Sequence, residues 1–272
     1  MSAGAATGPS RTLMAGERVL LVDRKDRRYL ITLQPGKTFQ SHAGVISHDA
    51  LIGLADGSEA DAHQRDGRVI DSARYLVLRP TLADVVVGMP RGAQVIYPKD
   101  LGAILVAADI FPGARVLEAG VGSGALSMTL LRAGAVVAGY EIRADFASRA
   151  RANVEAFLGP GQPFDVLERD VYDGIDAEGL DRIVLDLPEP WRVVPHAEQA
   201  LASGGILLTY LPTINQTAEM RVRLEASGFA MAETFEILRR TWHIEGRSVR
   251  PDHRMVAHTG FLTTARLLSA AV

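Results

Sequence analysis

The run Leu117-Glu118-Ala119-Gly120-Val121-Gly122-Ser123-Gly124 constrains the fold of this chain more than any other stretch. A short strand, Arg115 to Leu117, ends in an acid, and three alternate glycines carry the chain into an amphipathic helix predicted over Ala125 to Arg132. Alternate glycines let the backbone turn tightly and approach a ligand closely, where a Cβ would intervene. The helix that follows offers free N–H groups and the positive end of its dipole to a polar or anionic group. A serine-hydrolase elbow is excluded, because the second neighbours of Ser123 are Val121 and Ala125 rather than glycines.

What surrounds this turn fixes the fold class. From about Tyr97 onward, apolar runs at Val116-Leu117, Val136 to Glu141, Phe164 to Arg169, Arg182 to Leu187 and Ile206 to Leu211 alternate with helical stretches. The helices are expected at Ala125 to Arg132, Ala144 to Leu158, Val193 to Ala202 and Ala218 to Ala226. Such alternation predicts α/β architecture, a mainly parallel Rossmann-like sheet with helices on both faces. Phe229 to Leu238 and Gly260 to Leu268 then follow with no helix between them, which predicts a C-terminal antiparallel hairpin closing the sheet. The first part of the chain has a different texture. Strands at Arg18 to Val22, Tyr29 to Leu33 and Tyr75 to Leu78, with turn signals at Pro35-Gly36 and Ala55-Asp56-Gly57, predict a small all-β barrel or sandwich. The expected division is a disordered lead-in over 1–10, a β-domain over 11–85 and the α/β domain over 86–272.

Composition narrows the chemistry. The 272 residues contain no cysteine, which removes disulfides, thiolate metal sites and cysteine nucleophiles and suits a reducing cytoplasm. No apolar run is long enough to span a bilayer, and the small polar N-terminus does not read as a signal peptide. His42, His48, His253 and His258 lack ligand spacing, so no metal is expected. A formal net charge of −3 means that a nucleic-acid partner must be met by local patches. One is Arg24-Lys25-Asp26-Arg27-Arg28, at an expected hairpin tip. The other spans Arg239 to Arg254, with five arginines and two histidines around Trp242.

Ligands of an open α/β sheet bind outside the carboxyl ends of the strands, where the strand order reverses. Glu118, Glu141 and Asp170 fall at such ends. Glu141 stands 17 residues beyond Gly124, about where a carboxylate hydrogen-bonds the ribose of a nucleoside-containing ligand. Gly120 to Ala125 also satisfies the dinucleotide pattern loosely. Glu118, however, points an acid where a pyrophosphate would bring more negative charge, and an acid suits a ligand carrying an ammonium group. The E-x-G-x-G-x-G pattern resembles the first motif of S-adenosylmethionine-dependent methyltransferases. Asp186-Leu187-Pro188-Glu189-Pro190-Trp191 resembles the D/N-P-P-Y element of amino-methyltransferases.

Together with Gln94-Val95-Ile96-Tyr97-Pro98-Lys99-Asp100, Thr209-Tyr210, Arg239-Arg240-Thr241-Trp242 and His258-Thr259-Gly260-Phe261-Leu262, these motifs resemble the bacterial and archaeal tRNA (adenine(58)-N(1))-methyltransferase family over nearly the whole chain. The resemblance implies a class I methyltransferase domain behind a small β-domain, a homotetramer and a tRNA partner. It implies that Gly120, Gly122, Ser123, Gly124, Ala125 and Leu126 seat S-adenosylmethionine beside Glu118. It further implies Glu141 on the ribose, Asp170 on the cofactor's adenine, Asp186 as the catalytic aspartate beside the methyl donor, and Tyr97 and Tyr210 framing the target adenine. Relatives often carry histidine where this chain has Phe146, which leaves that position a packing role.

The N1 atom of adenine has an in-plane lone pair and needs no deprotonation, so the enzyme's task is alignment and stabilisation of the positive charge that develops on the base. Two rival readings share the same domain: a methyltransferase of proteins or small molecules, and a non-catalytic RNA-binding subunit.

Overall fold

The computed structural model describes residues 12–42, 44–63, 69–89 and 94–269; the expected lead-in over 1–10 lies outside them. The chain forms two compact units, Met1–Pro90 and Arg91–Val272.

The first unit holds β1 (Arg18–Asp23), β2 (Arg28–Thr32), β3 (Thr38–Ser41), β4 (Gly44–Ser47), the short α1 (His48–Leu51), β5 (Ser58–His63), β6 (Val69–Leu78) and α2 (Leu82–Gly88). Its strands form one antiparallel sheet in the order β2-β1-β6-β5-β4-β3. The ring of Tyr29 on one edge strand lies 5.1 Å from that of Phe39 on the other, so the sheet is rolled around its core. Val19, Leu21, Ile46 and Tyr75 fill the interior. The sequence expectation located β1, β2 and the end of β6. It did not single out β3 and β5, whose Thr-Phe-Gln-Ser and Ser-Glu-Ala-Asp-Ala-His lack a run of β-branched residues. They become strands because neighbouring strands supply ladder partners. The expected boundary between 85 and 86 lies inside α2, which Thr81 and Asp84 start with a reciprocal capping box and which continues to Gly88.

The second unit comprises α3 (Pro98–Ala107), β7 (Arg115–Ala119), α4 (Ala125–Arg132), β8 (Val136–Glu141), α5 (Ala144–Leu158), β9 (Phe164–Glu168), β10 (Leu180–Leu185), α6 (Val194–Ala200), β11 (Leu201–Leu211), α7 (Ile214–Glu225), β12 (Phe229–Phe235), β13 (Trp242–Glu245), β14 (Ser248–Pro251) and β15 (Phe261–Leu267). The large sheet runs β12-β15-β11-β10-β7-β8-β9. Strands β7 to β11 are mutually parallel, as the alternation predicts, and β15 is antiparallel to both its neighbours. The last strand therefore inserts between β11 and β12 and leaves β12 at the edge. Leu262, Thr263, Ala265 and Leu267 are buried on β15, whereas β12 alternates in exposure, so burial selects the interior position for β15. Between them the arginine-rich stretch, expected as a basic patch with no strand assigned to it, holds the two-stranded ribbon β13-β14. Leu117, Ile183, Leu185 and Leu207 lie in the core that supports the sheet.

Candidate functional site

After β7 the chain crosses to β8 and β9 on one side, then returns to β10 and β11 on the other. The order reverses at β7, and the carboxyl ends of β7 and β10 border a crevice. Ala119 is in register with Leu185, and the Asp186 N–H donates to the Ala119 carbonyl at 3.0 Å, carrying the ladder one residue into the site. Gly120 has φ +85°, and a Cβ there would overlap the Asp186 carbonyl. Only glycine turns the chain away from β7 this close to the end of β10. Gly124 has φ +81° and packs its Cα face against Ala150 of α5, which brings the start of α4 close to the sheet.

These turns bound a cavity of about 290 Å³. Glu118, Gly120, Gly122, Ser123, Ala125, Leu126, Glu141 and Asp186 all line it. Eight of the expected cofactor residues therefore converge, although they come from β7, the loop after it, α4, β8 and the residue that follows β10. Gly124 supports the loop from behind. Asp170 is set apart from this lining: it caps the turn at Val171–Asp173, accepting the Tyr172 N–H at 2.9 Å.

The electrostatics of the cavity are acidic. Ser127 on α4 donates to Glu118 Oε2 at 2.6 Å, while Glu118 Oε1 is buried without a hydrogen-bond partner. Burial pushes the Glu118 carboxyl up to about 8, Ser127 opposes this, and the neighbouring charges of Asp186 and Glu141 add to it. Burial likewise pushes Asp186, open to solvent only in part, up to about 7. Glu141 accepts the Gly122 N–H at 2.9 Å and the Arg143 N–H at 3.0 Å, so the second strand end braces the glycine loop. Each of its oxygens retains a lone pair for a further donor. The Ser123 hydroxyl is also buried without a partner. Orphaned acceptors and three carboxylates around a glycine-lined space fit a ligand with an ammonium group, a positive centre and vicinal hydroxyls.

Tyr97 and Tyr210 lie outside the cavity lining. Tyr97 precedes α3 as its N-cap, and Tyr210 is buried on β11, its ring filling the space where a Gly260 side chain would stand. Burial raises the Tyr210 hydroxyl well above its ordinary value, Thr259 opposes the shift by hydrogen bonding, and the charges of Asp100 and Asp186 reinforce it. Asp186 thus lines the cavity while its charge acts on Tyr210. Trp191 is half-buried and packs against the sheet core.

Several lining residues carried no cofactor role in the sequence expectation, which left Phe146 only packing. Val95, Ile96 and Phe146 supply apolar surface to the cavity, and Arg143 lays its guanidinium 3.9 Å from the centre of the Phe146 ring. Only the motif segment Gln94 to Asp100 hinted at the first two. Among the described residues no group of His, Asp and Glu gathers as a metal site, and no helix is long and apolar enough to cross a membrane.

Comparison with known proteins gives the geometry a family. Residues 75–254 match the family described as tRNA methyltransferase complex GCD14 subunit, and residues 12–59 match a TrmI-like N-terminal family. The chain belongs to the GCD14 family. A tRNA (adenine(57)-N(1)/adenine(58)-N(1))-methyltransferase, TrmI of Methanocaldococcus jannaschii, is 35% identical over 91% of this chain and 94% of its own length. A solved structure described as a SAM-dependent O-methyltransferase from Thermotoga maritima superposes with a TM-score of 0.89 at 31% identity, covering 98% of this chain and 99% of that one. The structure of TrmI from Aquifex aeolicus, a tRNA methyltransferase forming 1-methyladenosine at position 58, superposes with a TM-score of 0.82 at 29% identity, covering 95% and 100%. This family member carries its fold over the full length of such relatives.

Proposed function

We propose that this chain transfers a methyl group from S-adenosylmethionine to N1 of adenine 58 in tRNA, giving 1-methyladenosine. The observation that carries this reading is the joining, at one strand-order reversal, of an acidic glycine-lined cavity to Asp186 on the adjacent strand end, in a chain whose full-length relatives are named for this reaction. When bound, S-adenosylmethionine supplies an electrophilic methyl on a sulfonium.

The residues of the chain do the rest. Glu118 and the Ser123 hydroxyl are available to the amino-acid end of the donor, and Glu141 to its ribose. Val95, Ile96 and Phe146 offer apolar contact to its base. Asp170, held by the turn it caps, is the proposed acceptor for the donor's adenine amine, reached from the side of β9. Asp186 accepts a hydrogen bond from the exocyclic N6 amine of the target adenine. Its charge counters the positive charge that forms on the ring, which stabilises the transition state more than the ground state. Burial raises the Asp186 carboxyl to about 7, and a cationic neighbour favours its ionised form as the site fills.

The target N1 lies on the Watson–Crick edge, so the base must leave its stack to react. Tyr97 and Tyr210 are the proposed aromatic walls. Phosphate contacts come from the arginines between Arg239 and Arg254. The chain is proposed to act in the cytoplasm as a homotetramer, with the small β-domain preceding the catalytic one. Incubating the protein with methyl-labelled S-adenosylmethionine and unmodified tRNA transcript tests the reading. Label should appear as 1-methyladenosine at position 58. Label on protein, on a small molecule, or on no acceptor at all would overturn it.

A further inference from the structure

The buried groups beneath the arginine-rich excursion perform no step of the proposed reaction. Lys99 and Asp100 open helix α3, and their side chains are 6% and 0% exposed. Lys99 Nζ donates to Asp100 Oδ1 at 2.8 Å, to the Ile237 carbonyl at 2.7 Å and to the Thr259 hydroxyl at 2.5 Å. Thr259 Oγ1 in turn donates to Asp100 Oδ2 at 2.6 Å. Ile237 is where the chain leaves the sheet after β12, and Thr259 is where it returns before β15. One ammonium group therefore ties both ends of the excursion that carries β13-β14 and the five arginines. A second tie lies beside it. His258 Nδ1 faces Glu236 Oε2 at 2.9 Å and His258 Nε2 faces the Pro212 carbonyl at 2.8 Å.

The same network reaches the reaction side. The Tyr210 ring rests on Gly260, the residue next to Thr259, and the charge of Asp100 acts on the Tyr210 hydroxyl. Burying an ion pair in this position carries a desolvation penalty that a merely structural contact could avoid with apolar side chains. Here Lys99 and Asp100 satisfy each other together with one carbonyl and one hydroxyl, drawn from the two ends of the excursion.

We infer that Lys99 and Asp100 are positioning residues: they lock the neck of the Ile237–Thr259 excursion to Tyr210, so that acceptor seating depends on them while donor binding does not. This rests on the proposed tRNA reaction only for its kinetic readout. The neck itself is read independently by proteolysis.

The experiment uses the full chain with Lys99→Met, Thr259→Val and Thr259→Ser. Thr259→Val removes the bridging hydroxyl and leaves the Lys99–Asp100 pair in place, so it decides the matter even where Lys99→Met fails to fold. Losing hydrogen bonds to charged groups predicts a KM for tRNA raised about tenfold in Thr259→Val, with a near-normal value in Thr259→Ser. The dissociation constant for S-adenosylmethionine, by calorimetry, should stay within about twofold of wild type, since the donor cavity makes none of these bonds. Trypsin should cleave the excursion after its arginines faster in Thr259→Val than in Thr259→Ser or wild type. An unchanged KM together with unchanged cleavage overturns the inference, and so does an equal loss of donor affinity. If the wild-type chain methylates no tRNA, the proposed function fails, while the cleavage rates still decide whether Lys99 and Asp100 hold the neck.

Discussion

The donor cavity and the arginine-bearing ribbon present opposite chemistries within one unit of the chain. The cavity is acidic, concave and held by backbone: Gly120 lies against Asp186, Glu141 braces Gly122, and Glu118 Oε1 is buried without a hydrogen-bond partner. The ribbon is basic and open, a separate pair of four-residue strands with Trp242 56% exposed and Ile244 72% exposed. A small ligand with fixed positive charge gains most from preorganised carboxylates in a low-dielectric crevice. A large polyanion gains most from dispersed arginines that release counterions as they meet phosphates. The formal net charge of −3 averages these regions and conceals both.

Breaking the comparison at its junction should give the largest effect. Asp186→Ala should lower kcat by about 10²–10³, the usual cost of removing one preorganised electrostatic group, while S-adenosylmethionine still binds. Near-normal turnover in single-turnover assays would remove Asp186 from the reaction. On the cavity side, Gly120→Ala should destabilise the crevice by about 2 kcal/mol, or about thirtyfold in donor affinity, through its positive φ and the overlap with the Asp186 carbonyl. Calorimetry on the folded variant checks this, and unaltered affinity would refute the tight-turn argument.

On the ribbon side, Arg239→Ala with Arg240→Ala should weaken tRNA binding about tenfold and reduce the salt slope by about one for each phosphate no longer neutralised. Donor affinity should not move. A weakening shared equally by both ligands would show that the two regions are not separable.

The smallest effect sharpens the acidic half of the comparison. Burial disfavours the charge of Glu118 and keeps it protonated below about pH 8 in the folded chain. A cationic donor favours the ionised form, so binding should release a proton and tighten about fivefold between pH 7 and 8. The sign for folding is opposite. With the carboxyl raised from 4.5 to about 8, the unfolded chain releases a proton that the folded chain keeps, so this group's contribution to stability falls as pH rises through that window and levels above it. Calorimetry in buffers of different ionisation enthalpy measures the proton. Glu118→Gln should weaken the dependence to the part that Asp186 contributes.

Much of the fold was readable because its signals are local. The boundaries of β8, α4 and α5 follow from apolar periodicity and fall where the sequence alone predicts them. The glycine loop was readable for the same reason, since positive φ and close approach leave glycine as the ordinary solution. Strands β3 and β5, the insertion of β15 and the ribbon were not readable. Their residues carry weak intrinsic preference, and their form depends on which neighbour offers a ladder. Lys99 illustrates the limit at the level of a side chain. Nothing local distinguishes it from a solvated lysine at a helix start, yet its partners stand 138 and 160 residues away.

The sequence by itself determined the α/β class, the turn after β7 and the acids at successive strand ends, because each is written in spacing along one strand, turn or helix. The tertiary structure decided what those acids became. Crossing of the chain at β7 brought Glu118, Glu141 and Asp186 around one cavity, and burial of their carboxyls raised Glu118 and Asp186 above the ordinary carboxylate range. Proximity and desolvation are properties of packed neighbours, and no stretch of chain read alone contains them.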